Sequence, residues 1–262
     1  MVITVPWEQV AVGLVLPILS WQAPFWTMVL AIFGTTISPY LFFWQASQEV
    51  EETEAAVGRA PLVEKPRQGP DAINRIRFDT IVGMTLSNLV ALAIIVTSAA
   101  TLNANGITDL ETASQAAQAL RPIAGPLAFT VFTLGIVGTG LLAVPVLAGS
   151  AAYALAEARK WPLGLARPPN KAKAFYATIA VATLGGSLIN FAPINPIKAL
   201  VFSAVVNGVV AVPIMAVMMH MTANPKIMGK FTVRGGLRIM GWAATIMMAA
   251  AALGLMITSL YN

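Results

Sequence analysis

The chain has 262 residues, of which 57% are hydrophobic and only 10% charged. A soluble domain carries about 25% charge, so this composition describes an integral membrane protein rather than a soluble enzyme or binding module. It has no cysteine and a formal charge of +5, which excludes disulfides, thiolate metal centres and a cysteine nucleophile.

The first apolar segment, Val10 to Ser20, is shorter than the ~20 residues a spanning helix needs. Residues 1–22 are therefore read as the end of a preceding membrane helix and its loop. Pro17, Trp21, Pro24 and Trp26 crowd the connection, and tryptophan favours the membrane interface. Residues 23–57 form a second unit, an apolar run from about Phe25 to Ser47 followed by an acidic extension bearing Glu49, Glu51, Glu52 and Glu54. Residues 58–77 are a polar loop. Residues 78–262 hold five further spans: about Phe78 to Thr101, one within Pro126 to Ala156, Ala174 to Ala192, Ala199 to Met221, and Gly236 to Leu260. Asp109 is placed to cap a short helix before the second of these.

The basic residues fix the direction. The loop at 58–77 carries Arg59, Lys65, Arg67, Arg75 and Arg77, and the loop at 157–173 carries five more. The last loop, 222–235, and its flank hold Lys226, Lys230, Arg234 and Arg238. The two intervening loops hold one each, Arg121 and Lys198. By the positive-inside rule the loops 58–77, 157–173 and 222–235 are cytoplasmic in a multi-pass protein of the cell membrane. The same distribution explains the net charge without a nucleic-acid partner.

The most informative stretch is Phe33-Gly34-Thr35-Thr36-Ile37-Ser38-Pro39-Tyr40, in the middle of an apolar crossing. Pro39 has no N–H, so the carbonyl four residues back, on Thr35, loses its helical partner. Ser38, ahead of the proline, is pushed out of the α region, and Gly34 loosens the other side. Unwound backbone at mid-membrane is tolerated only where it is buried in protein or lines a cavity, and such discontinuous helices hold ions or substrates in secondary transporters. A simple proline kink without function is the competing reading, and the stretch alone leaves both open.

Other polar groups in the spans are few. Ser87 and Asn88, Asn190 and Asn207 are neutral, and such residues more often bond a neighbouring helix than a substrate. His220, the sole histidine, sits at a helix end beside Met218, Met219 and Met221 and reads as interfacial. The four glutamates read as a solvated continuation of the helix, with a cation-concentrating vestibule as the alternative. No carboxylate lies deep in a span, so a cation site built by this chain rests on neutral oxygens: the Thr35 carbonyl, Ser38, Thr36 and Asn207. Hard cations accept such oxygens but usually want a carboxylate as well. An intramembrane hydrolase is disfavoured, because no buried acid or histidine is available as base or metal ligand.

The set of Gly34-Thr35-Thr36-Ile37-Ser38-Pro39-Tyr40-Leu41, of Pro126-Leu127-Ala128-Phe129 through Ala143-Val144-Pro145 to Ala152-Tyr153-Ala154, and of Ile227-Met228-Gly229-Lys230 resembles the natural resistance-associated macrophage protein (Nramp) family of divalent metal transporters. The resemblance covers nearly the whole chain. It implies an all-α membrane fold, namely the second half of a LeuT-like inverted-repeat transporter: the tail of helix five, then helices six to eleven. It also implies metal ligation by the backbone carbonyl of Thr35 and the side chain of Ser38, with Thr36, Tyr40, Gln45 and Asn207 as accessory candidates. The family's Met-Pro-His reads Ser38-Pro39-Tyr40 here, and a second histidine found in many members is Gln45. The thioether that favours soft metals is thus replaced by a hard oxygen, and both groups often linked to proton movement are non-titrating near neutral pH. The implied activity is transport of a divalent cation as substrate, with no cofactor and no enzymatic reaction. The implied partners are the bilayer, the metal cation and the missing first-repeat helices, in the same or another chain. The alternative is a truncated, non-transporting fragment or one chain of a two-chain transporter.

Overall fold

A computed structural model describes residues 7–16, 19–62, 64–107, 110, 112–124, 126–189 and 191–260. Among the described residues ten α-helices run in chain order: α1 (Trp7–Val15), α2 (Ala23–Thr36), α3 (Pro39–Ala55), α4 (Gly69–Thr101), α5 (Ala113–Ala124), α6 (Pro126–Arg159), α7 (Lys173–Ile189), α8 (Pro196–Thr222), α9 (Pro225–Met228) and α10 (Gly236–Leu260). No strand occurs among the described residues. Among the described residues five segments are long and apolar enough to cross a bilayer: Ala23–Ala55, Pro66–Asn105, Phe129–Arg159, Pro196–Thr222 and Gly236–Leu260. A sixth apolar helix, α7, has 17 residues, or about 26 Å at 1.5 Å per residue. It lies where a crossing is expected from Ala174 to Ala192, with Asn190 of that stretch outside the described residues. The chain is a multi-pass membrane protein.

The chain divides into two compact units. The first comprises Met1–Leu19, Arg75–Val144 and Ile189–Leu200. Its helices are set by local caps. α4 ends where Thr101 turns its hydroxyl onto the Thr97 carbonyl and Asn105 bonds the Thr101 carbonyl. α5 starts with a reciprocal capping box, the Gln115 N–H donating to Thr112 Oγ1 at 3.1 Å and the Thr112 N–H to Gln115 Oε1 at 3.2 Å. Asp109, expected to cap this helix, lies outside the described residues, as does Asn190. Asn195 caps α8, accepting from the N–H groups of Ile197 and Lys198. Pro196 follows at the first helical position, where its missing N–H costs nothing.

The second unit comprises Ser20–Asn74, Pro145–Leu188 and Val201–Asn262 and holds two cores. In one, Leu30 of α2 packs with Ala211 of α8 and with Met248, Ala251 and Ala252 of α10. In the other, Tyr153 and its small neighbours Ala152 and Ala156 on α6 pack with Phe175 of α7, with Trp44 of α3 against them. Small residues dominate both, as expected where helices gain contact by close approach rather than by escaping water. Large apolar side chains such as Leu141, Leu142, Phe202 and Ile239 stand exposed, which suits a surface whose solvent is lipid.

Candidate functional site

The interrupted crossing is present. α2 ends at Thr36 and α3 begins at Pro39. Between them Ile37 (φ −108°, ψ 77°) and Ser38 (φ −89°, ψ 112°) are out of the helical region, as the proline requires of its predecessor. The Ile37 N–H still reaches the Phe33 carbonyl at 2.7 Å, and the first turn of α3 closes with the Leu41 N–H on the Ser38 carbonyl at 3.0 Å.

The orphaned carbonyls are partly recovered by one side chain. The Ser38 hydroxyl, buried, donates toward the carbonyls of Gly34 (3.1 Å) and Thr35 (2.9 Å). The Thr35 oxygen is therefore not bare, as the sequence suggested: it keeps one of its two lone pairs while Ser38 occupies the other. Ser38 does not cap α3, so its own lone pairs stay available. The carbonyls of Thr36 and Ile37 receive no hydrogen bond among the described residues. The break thus gathers oxygen acceptors at the C-terminal end of α2, where the helix dipole is negative and favours a cation.

Helix α8 closes one side of the break. Gly34 lies so near it that an added Cβ would stand 2.0 Å from the Ala204 carbonyl oxygen and 2.5 Å from the Gly208 nitrogen. A Cβ on Gly208 would meet the Leu30 carbonyl at 2.8 Å. Two glycines facing each other are what lets the backbones approach. The half-buried Asn207 is the neighbour of Gly208 in α8 and has no hydrogen-bond partner among the described residues.

The remaining candidates are placed as follows. Thr35 and Thr36 are exposed and turn their hydroxyls back onto the Ala31 and Ile32 carbonyls. Tyr40 is half-buried and Gln45 exposed on α3. The structure therefore brings Thr35, Thr36, Ser38 and Tyr40 together at the break by chain proximity, while Gln45 lies more than a turn further along α3. No cluster of three or more acidic or histidine side chains able to hold a metal occurs among the described residues. His220 is exposed and stands edge-on to Trp242 at 5.7 Å.

The acidic extension behaves differently from its sequence reading. Glu51, taken as a solvated residue, accepts hydrogen bonds from Tyr153 Oη (2.5 Å), the Leu165 N–H (3.2 Å) and the Ala166 N–H (3.0 Å). Ser47 donates to Glu157 at 3.2 Å. A hollow of about 420 Å³ opens beside them, lined among others by Glu51, Glu54, Glu157 and Arg167. The partners of Glu51 lie over a hundred residues away, and no local pattern announces them.

These observations define an all-α, multi-pass membrane protein with, among the described residues, a discontinuous helix whose unwound backbone presents oxygen acceptors. The chain belongs to the Nramp family: the family model, described as natural resistance-associated macrophage protein-like, matches residues 1–258. Among curated relatives it is 26% identical over 236 residues to a divalent metal cation transporter MntH of Klebsiella pneumoniae, covering 88% of this chain and 50% of that protein. It is 29% identical over 238 residues to the MntH of Ralstonia nicotianae, covering 86% and 49%. It is 24% identical over 226 residues to that of Deinococcus radiodurans, covering 85% and 47%. The chain spans about half the length of the curated relatives it matches.

Proposed function

We propose that this chain is the second half of a LeuT-like secondary transporter that moves divalent metal cations across the cell membrane by alternating access. The observation that carries this reading is the α2–α3 break, with acceptor oxygens on Thr35, Thr36, Ile37 and Ser38 at the negative end of α2. In this reading the Thr35 carbonyl and Ser38 hydroxyl ligate the metal, with Thr36, Tyr40, Gln45 and Asn207 accessory. The missing first-repeat helices, in the same or another chain, supply the carboxylate that a hard cation wants. The metal is cargo, no cofactor takes part, and no covalent chemistry is done. The names of the relatives as divalent metal cation transporters support this. The basic loops 58–77, 157–173 and 222–235 face the cytoplasm, which puts the acidic end of α3 on that side.

The half-length match favours a second reading, a non-transporting fragment or one chain of a two-chain transporter. One experiment addresses both. Proteoliposomes containing this half together with the first-repeat helices are assayed for uptake of magnesium, manganese, iron and cobalt. Transport by the joined halves and none by this chain alone is expected. Ser38→Met, which exchanges a hard oxygen for a thioether, raises the preference for manganese over magnesium roughly tenfold, equivalent to about 1.4 kcal/mol. An unchanged order of preference removes Ser38 from the site.

A further inference from the structure

We propose that Glu51 is a latch that fastens the second half of the broken helix to α6 and the α6–α7 loop, leaving the Ile37–Ser38 break as the pivot between α2 and α3. As control over a moving half-helix it rests on the transport reading; the mechanical latch does not.

The latch is built from opposite sides. From α3, the Glu51 carboxylate reaches across to three donors. Tyr153 of α6, fully buried, gives its phenolic hydrogen at 2.5 Å, the length of a charge-assisted O–H···O⁻ bond. The Leu165 and Ala166 N–H groups take the carboxylate's two oxygens at 3.2 and 3.0 Å, a pair of successive backbone donors of the kind that cradles anions. The Tyr153 oxygen in turn accepts from Gln48 of α3 at 3.0 Å and from the Leu165 N–H at 3.1 Å. One carboxylate and one phenol thus tie together α3, α6 and the loop.

The loop is shaped for this carboxylate. Gly164 has φ +120°, a conformation that side-chain-bearing residues rarely adopt, and a Cβ there would stand 2.7 Å from Glu51 Oε1. Ring packing sets the tyrosine: Trp44 and Phe175 meet it edge-on at 5.8 and 4.9 Å between centroids. The two halves of the crossing consequently belong to different packings. α2 is fixed to α8 and α10 through Leu30, whereas α3 is fixed to α6 and α7 through Tyr153. Only two unwound residues join them.

The test uses the full chain in lipid nanodiscs. Its lack of cysteine lets two spin-label pairs be introduced cleanly. Ala55→Cys with Lys171→Cys reads α3 against the α6–α7 loop. Met28→Cys with Ile257→Cys reads α2 against α10. Glu51→Ala is the main variant. Tyr153→Phe keeps the ring and removes only the hydroxyl, and serves where Glu51→Ala does not fold. The expected result in either variant is a second, longer distance population for the first pair, with the second pair unchanged. The proposal is overturned if both variants leave the first pair as in the wild type, or if both pairs broaden together, which would make Glu51 a support of the whole fold. Because nothing is transported in this measurement, its outcome is independent of whether the transport reading survives.

Discussion

Replacing Gly34 by alanine adds one methyl where the structure has no room for it. The new Cβ stands 2.0 Å from the Ala204 carbonyl oxygen and 2.5 Å from the Gly208 nitrogen. Ordinary carbon contacts lie at about 3.5 Å or beyond, so α2 and α8 must part by roughly 1.5 Å at this point. Both obstacles are backbone, so no rotamer change relieves them. Overpacking of this kind costs about 1–3 kcal/mol, and the upper end applies because two helices must move. For a chain of this size each kcal/mol lowers Tm by about 2–4 °C, which gives a drop of roughly 6–12 °C in detergent. The control is Gly185→Ala in α7, where nothing lies within 4 Å of the added methyl and the helix gains about 0.5–1 kcal/mol. Thermal unfolding followed by size-exclusion chromatography compares the two. A Gly34→Ala protein as stable as Gly185→Ala would show that α8 does not close the break.

The remaining predictions concern local ties. Ser38→Ala leaves the Gly34 and Thr35 carbonyls without their hydroxyl, a loss of about 0.5–1.5 kcal/mol, and amide exchange at Ile37 and Leu41 is expected to quicken; unchanged exchange would mean the hydroxyl does not order the break. Asn195→Ala removes the cap that accepts from Ile197 and Lys198. A cost of about 1 kcal/mol is expected, read as earlier fraying at the start of α8 by amide exchange, with no effect at its far end.

The fold was legible where its causes are local. Hydropathy and length marked the crossings, and Pro39 with the residue before it placed the end of α2 and the start of α3. Caps were half legible. Asn195 before Pro196 is a strong local signal, and Thr112 with Gln115 three residues on fits the capping-box pattern, whereas Asp109 lies outside the described residues. What the sequence could not show depends on distant partners. Gly34 read as local flexibility, but its closer constraint is the backbone of α8. Ser38 read as the unwound residue before Pro39 and as a candidate ligand, and nothing in the sequence signalled that its hydroxyl donates to the Gly34 and Thr35 carbonyls. Glu51 sat among four glutamates with nothing to set it apart, since Tyr153 and the Leu165–Ala166 backbone reach it only once the chain is folded. Asn88, read as a helix-bonding polar group, bonds its own Met84 carbonyl.

The most direct test of the central claim is an anomalous-scattering map of the chain joined to its first-repeat helices and loaded with manganese. A metal peak at the α2–α3 break, with the Thr35 carbonyl oxygen and Ser38 Oγ at coordination distance, about 2.0–2.6 Å for oxygen ligands of hard divalent cations, is the predicted result. A metal held instead in the hollow beside Glu54 and Glu157, with the break empty, would contradict it.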